Sequence, residues 1–236
     1  MKQLRDGSWL TKERIYSICI LFFALVCNQL SYQGSRLFSF WRYHYDYTIP
    51  LDKEVPFMTW TVLIYVGAFV FWALNLYLIS LQDREHSDRL LCADVLSKIA
   101  SFVIFVIIPT TSVRPEITGT GLFDDGMRFI FWIDAGDNLF PSMHCSMSWL
   151  CWIGLRGRKN VPLGYRVFSL LFALAICVST LTTKQHVFVD TISGIALAEL
   201  CWLVAANPRI RGVYTRFIDW FVGVVSRFLE RRAVKE

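Results

Sequence analysis

Charge is what this 236-residue chain has least of: 18% of its residues are Asp, Glu, Lys or Arg, against about 25% in a typical soluble domain. The shortage is filled by apolar side chains, with 55% of residues hydrophobic and 16% aromatic, and the mean hydropathy is +0.43. A disordered tail and a simple basic nucleic-acid binder are both excluded by that balance. The chain also lacks a disulfide framework. Its seven cysteines are an odd number, form no C-x-x-C pair and stand near no metal-spaced histidines, so they read as small buried hydrophobes. Internal repeats and low-complexity segments are missing, and no small-x-small cleavage site follows Cys27. The first apolar run is therefore expected to be an uncleaved span.

What is present is apolar sequence in long blocks. A helix needs about 20 residues to cross a bilayer, and six candidate spans meet the pattern, at about 15–33, 57–81, 91–113, 142–156, 166–183 and 187–206. They occupy about half the chain and leave no room for a separate soluble domain. The expectation is an all-α fold: a single integral membrane domain, 1–236, built as a six-transmembrane-helix bundle. A C-terminal amphipathic interfacial helix is predicted in the tail 208–236. There Phe217, Trp220, Phe221, Val224, Val225 and Phe228 recur at helical spacing, largely opposite Arg216, Asp219, Arg227, Glu230 and Arg231. The aromatic loop Phe38 to Tyr47 reads as an interfacial belt.

The cations are unevenly distributed. With both termini cytoplasmic, seventeen Lys and Arg fall on the inner side, six on the outer side, and Lys98 within a span. That bias satisfies the positive-inside rule at every inner segment except the second, where the excess is small, and predicts a multi-pass protein of the cell membrane. Lys98 and Glu199 come to similar depth from the inner side, which predicts an ion pair between the third and sixth spans. Asp94, four residues before Lys98 on the same helix face, is the competing partner. His44 and His86 fall in loops and receive no role.

Topology brings one group of polar residues to the outer ends of the last four spans. Ionisable groups at bilayer depth are costly and mark function. His186 and Asp190 are four apart at a helix start, so a carboxylate can fix the imidazole tautomer and leave the other nitrogen as a nucleophile. Alone, the pair reads equally as an interfacial histidine with an aspartate capping the last helix. Pro141-Ser142-Met143-His144 opens another helix, whose free N–H groups make an anion site, with Ser142 as a hydroxyl donor and His144 as a proton donor. By itself it is also an ordinary helix start that contains a histidine. Arg114 and Lys184 each suit a phosphate or an anchor among headgroups.

Together these pieces are far more specific. Arg114-Pro115, then Pro-Ser-x-His, then Ser179-x6-His186-x3-Asp190, in this order and on six spans, resembles the type 2 phosphatidic acid phosphatase superfamily. These are integral membrane lipid phosphatases and their phosphotransferase relatives. The resemblance covers about residues 91–206, and Pro109 to Asp137 is similar to bacterial members. It implies that His186 attacks phosphorus and becomes a phosphohistidine while Asp190 orients it. By the same resemblance His144 protonates the leaving oxygen and then serves as base, and Arg114 and Ser142 hold the phosphate. No metal and no other cofactor is implied.

Two positions depart from the family pattern. Ile107 stands where the first motif has lysine, and Thr180 follows Ser179 where the third has arginine. Lys184, two residues before the nucleophile, is the predicted replacement phosphate contact. The leading expectation is a metal-independent lipid phosphatase acting on a lipid phosphate or pyrophosphate from the extracytoplasmic face. Its partners would be that substrate and the bilayer, with no nucleic acid. A lipid phosphotransferase related to sphingomyelin and inositol-phosphorylceramide synthases is the alternative, because that branch also relaxes the basic residues. A non-enzymatic transporter or assembly factor is the third reading.

Overall fold

A computed structural model of the chain describes residues 12–134 and 136–233. Lys2, Arg5 and Lys235, three of the cations counted on the inner side, lie outside the described residues. The fold is almost wholly helical. Its helices are α1 (Lys12–Ser39), α2 (Pro50–Glu54), α3 (Val62–Ser80), α4 (Arg84–Ile107), α5 (Leu122–Ile133), α6 (Met143–Leu155), α7 (Leu163–Thr182), α8 (Phe188–Val204) and α9 (Pro208–Ala233). A 3-10 turn spans Thr59–Thr61. Two short strands, β1 (Tyr45–Asp46) and β2 (Thr110–Thr111), pair in parallel and tie the loop after α1 to the end of α4.

Among the described residues, four helices are long and apolar enough to cross a membrane: Arg14–Ser39, Thr59–Ser80, Arg84–Ile107 and Leu163–Thr182. A fifth crossing is reached only if α8 and α9, bent by 93° at their junction, are taken as one broken span. Apolar surface faces outward as well as inward on these helices. Leu63, Val70 and Leu74 of α3 and Leu171 and Val178 of α7 are exposed, while Ala68, Phe71 and Ile79 of α3 and Ala173 and Ile176 of α7 are buried. Such all-round apolarity is the pattern of a membrane-spanning helix.

α6 has 13 residues, about 20 Å at 1.5 Å per residue. It is the centre of the bundle, in contact with α3, α4, α7 and α8. One core runs through it, with Ile20, Ile79, Leu90, Leu150, Ile176 and Ala198 each contributed by a different helix. Six of the seven cysteines are buried and Cys27 is half-buried.

Helix boundaries follow local chemistry. α4 starts seven residues before the apolar run because Asp83 caps it, accepting from the His86 N–H at 2.9 Å. It stops at Ile107 because Ile108 precedes a proline and leaves the helical region, with φ −130° and ψ 70°. α9 leaves α8 at a sharp angle and packs on α1, where the Phe217 and Phe221 rings lie 5.1 and 6.4 Å from Phe23. Tyr214 and Ile218 are buried beneath it, and Val213, Trp220 and Phe228 remain exposed.

The predicted Lys98–Glu199 pair does not form. The Lys98 ammonium donates to Asp94 Oδ2 at 2.6 Å and to the Ala24 carbonyl of α1 at 3.0 Å. Glu199 instead accepts two bonds from the Arg156 guanidinium at 2.8 and 3.0 Å and one from Trp149 Nε1 at 2.9 Å. The helix face was misread: Glu199 turns toward α6, while Asp94 sits one turn from Lys98 on the face that meets α1.

Candidate active site

The site begins where α6 does. Ser142 is fully buried as the N-cap, and its Oγ accepts from the Cys145 N–H at 3.3 Å. The Ser142 N–H donates to the Asp190 carbonyl at 3.0 Å, which stitches the start of α6 to the start of α8. That junction needs Gly194: a Cβ there would come within 2.4 Å of the Ser142 carbonyl oxygen. Two residues after Ser142, His144 points into a box of aromatic rings. Tyr65 stacks on it at 4.3 Å between centroids, and Trp72 and Phe69 lie at 5.0 and 5.8 Å. Its Nε2 is buried without a hydrogen-bond partner.

His186 lies in the short turn between α7 and α8. Its N–H donates to the Thr180 carbonyl at 3.0 Å, and its ring centroid is 6.3 Å from that of His144. Nδ1 is 3.4 Å from Asp190 Oδ2, a charge contact longer than a formed hydrogen bond. The same carboxylate oxygen accepts the Val187 N–H at 3.0 Å. Burial works against charging the His186 ring, but the Asp190 carboxylate beside it outweighs burial and lifts the pKa above the usual 6.5.

Arg114 and Lys184 both reach the neighbourhood, and both are engaged. Arg114 donates to the Asp134 and Phe131 carbonyls at 2.6 and 3.2 Å and to Gln185 Oε1 at 2.8 Å, and it pairs with the Asp134 carboxylate at 3.2 Å. It thereby clamps the loop after α5 to the residue next to His186. The Lys184 ammonium donates to the Asp52 and Val55 carbonyls at 2.8 and 2.6 Å. Partial burial lowers its pKa, with the Asp52 charge opposing that shift.

Two cavities open onto this cluster. One, of about 200 Å³, is lined by Tyr65, Trp72, Asp134, Asn138, His144 and His186. The other, of about 520 Å³, is lined by Asp52, Lys53, Ser112, Arg114, Lys184 and His186. His186 alone lines both: His144 shares the first cavity with it, Arg114 and Lys184 share the second, and Asp190 contacts its ring. A family model of the PAP2 superfamily matches residues 37–204.

The chain belongs to the PAP2 superfamily. No curated protein matches it, and no solved structure does. Membership points to phosphatase- or phosphotransferase-type activity on phosphate esters.

Two features of this PAP2 protein stand apart from the superfamily pattern. Ile107, at the expected lysine position, is exposed at the end of α4. Thr180, at the expected arginine position, is fully buried, and its hydroxyl donates to the Cys177 carbonyl at 2.7 Å. Its carbonyl accepts the N–H groups of both Gln185 and His186 at 3.0 Å, so the position holds the His186 turn through the backbone. Among the described residues, no group of three His, Cys, Asp or Glu is placed to hold a metal ion.

Sequence reasoning missed several supports of the site: Tyr65, Gln185 and Asp52. Each sits in a span or loop with no local signal and becomes relevant only through a partner far along the chain.

Proposed function

We propose that this PAP2 protein is a lipid phosphatase that works through a phosphohistidine at His186. The observation that carries the reading is the facing pair of histidines, 6.3 Å apart, with a buried carboxylate behind one of them. That gap is on the scale of one phosphoryl group. Neutral His186 attacks phosphorus through the ring nitrogen turned away from Asp190, and the phosphorus–oxygen ester bond breaks. His144 gives its proton to the departing alkoxide, which leaves as the alcohol. A water then enters the position the alcohol vacated, His144 takes its proton, and the phosphorus–nitrogen bond breaks to release phosphate. Asp190 stabilises positive charge on the His186 ring throughout.

Phosphate oxygens have donors near them. The N–H groups at the start of α6 and the Ser142 hydroxyl supply neutral ones. An ammonium carries three N–H bonds, so Lys184 keeps one beyond its two carbonyl partners. The terminal guanidinium nitrogens of Arg114 are committed to protein oxygens, leaving its Nε–H. This thin set of free cations is the observation behind a second reading, transfer of the phosphoryl or phospho-headgroup to an alcohol. Because an in-line attack passes through one apical position, that alcohol would occupy the cavity beside His144.

The proposed setting is a bilayer crossed by six helices, with both termini cytoplasmic and the site on the outer face. A hydrocarbon core of about 30 Å exceeds the roughly 20 Å length of α6. Its start, with Ser142 and His144, then sits beneath the surface, where a substrate held by its tails can arrive sideways. α9 would lie along the inner leaflet.

The test of the activity is phosphate release from a panel of lipid phosphates by the protein in nanodiscs with EDTA, with H186A as the blank. Release above the blank supports metal-independent hydrolysis. No release without acceptor, but product formation on adding alcohols, moves the reading to transfer. For sidedness, G121C in a cysteine-free background should react with an impermeant thiol reagent in intact cells. Reaction only in opened cells would reverse the orientation.

A further inference from the structure

The turn that carries His186 is held by a residue 136 positions before its neighbour Phe188. Three consecutive N–H groups are pinned there: His186 to the Thr180 carbonyl at 3.0 Å, Val187 to Asp190 Oδ2 at 3.0 Å, and Phe188 to Asp52 Oδ1 at 2.7 Å. The first two partners belong to α7 and α8 themselves. The third comes from α2, in the loop between α1 and α3. Asp52 is 6% exposed, and its second oxygen accepts the Ile49 N–H at 2.8 Å. A carboxylate withdrawn from water needs such bonds to be tolerated. Here one of them is spent on the first residue of α8, where the helix dipole favours negative charge.

The rest of the 49–61 segment runs along the same turn. Lys184 binds the Asp52 and Val55 carbonyls at 2.8 and 2.6 Å. The Met58 N–H donates to the Thr182 carbonyl at 2.9 Å, and the Thr61 and Thr182 hydroxyls meet at 2.9 Å. Lys184 itself has φ +55°, a left-handed conformation that a non-glycine residue keeps only when its surroundings over-determine it. Asp190 Oδ2 must serve Val187 and the His186 ring at once, so movement at 187–188 misaligns the ring.

We infer that Asp52 is a positioning residue for the nucleophile, its carboxylate fixing the start of α8 and, through Val187 and Asp190, the His186 ring. The inference rests on His186 as the nucleophile, but part of its test does not. Wild type, D52A, D52N and F188P are compared in nanodiscs by phosphate release from phosphatidic acid and by amide exchange of peptides covering 182–190. D52A should lower kcat by about tenfold or more with KM nearly unchanged, because misplacement costs the chemical step, and should speed exchange in those peptides alone. D52N keeps an oxygen for the Phe188 N–H but sets its NH2 against the Ile49 N–H, so it should fall between wild type and D52A in both readouts. F188P removes the donor instead. Proline fits the first helical position, and Val187 is already extended, at φ −106° and ψ 169°, as a residue before proline must be. It should reproduce D52A, and the double variant should add no further loss.

Equal losses in D52N and D52A, or unchanged exchange in both D52A and F188P, would overturn the assignment. Should D52A fail to fold, F188P against D52N decides. If the wild type turns over no lipid phosphate or acceptor, that failure belongs to the proposed activity, and exchange alone judges the clamp.

Discussion

Two clusters at opposite ends of the helix bundle carry the same kinds of side chain and use them in opposite ways. Where α3 turns into α4, Arg84 donates to Asp88 at 2.8 Å and to Asp219 at 2.7 Å. Asp88 also accepts from the Tyr16 and Thr215 hydroxyls at 3.0 and 2.9 Å. His86 Nε2 bonds the Gly154 carbonyl at 2.7 Å, and Arg158 pairs with Asp83. At the other end, His144 Nε2 and His186 Nδ1 are buried with no hydrogen bond formed. Buried polar atoms in native proteins are nearly always satisfied. A saturated cluster therefore reads as scaffold, and an unsaturated one as a place where something else completes the bonding. The difference lies in partners, not in residue type: His86 and His144 are both part-enclosed imidazoles near a helix start.

The sharpest way to break this contrast is to exchange the roles of the histidines. H186A should abolish turnover, by about 10⁴-fold or more as for a nucleophile acting within a set, while H86A leaves the rate within about twofold; phosphate release from the same lipid decides both. H144A should cost about 10²–10⁴-fold, the range for a general acid. A nitrophenyl phosphate, whose leaving group needs no proton, should recover much of that loss. Comparable defects in H86A and H186A would erase the distinction between the two ends.

Stability tests the scaffold side. Lys98 and Asp94 are both buried and 2.6 Å apart, so K98M strands a carboxylate and should cost about 3–5 kcal/mol, visible as a lowered Tm in detergent. The pH profile tests the site. Protonated His186 cannot attack, so kcat/KM should rise with pH along an acid limb centred above the ordinary histidine value of 6.5. D190N removes the charge that lifts that value and should move the limb to lower pH. The smallest effect is expected from E199Q: its bridge to Arg156 is about one-third exposed on both sides, so it is worth up to about 1 kcal/mol, with activity unchanged.

Much of the fold was legible because apolar periodicity is local. The cores of α1, α3, α4, α7 and α8 fall inside the predicted runs, and the motif residues Ser142, His144, His186 and Asp190 are placed by the starts of two helices. The Lys98 misreading has a plain cause. Hydropathy gives depth but not rotation about the helix axis, so Lys98 and Glu199 were matched by height although they face different neighbours. The charged stretch Arg84–Arg89 looked like loop because its partners, Tyr16, Thr215 and Asp219, arrive from α1 and α9. α5 was hidden in the segment 116–140 because it is a 12-residue helix, too short to register as a span.

By itself the sequence determined that the chain is helical and apolar and that two histidines and an aspartate stand at helix starts, since these depend on residue type and short spacing. Only the tertiary structure decided which polar groups are satisfied. It joined Arg114 to Gln185, turned Lys184 onto the carbonyls of Asp52 and Val55, and set Asp52 against Phe188. Hydrogen bonds are formed across space by elements far apart in the chain, and no pattern along the sequence records which donor will meet which acceptor.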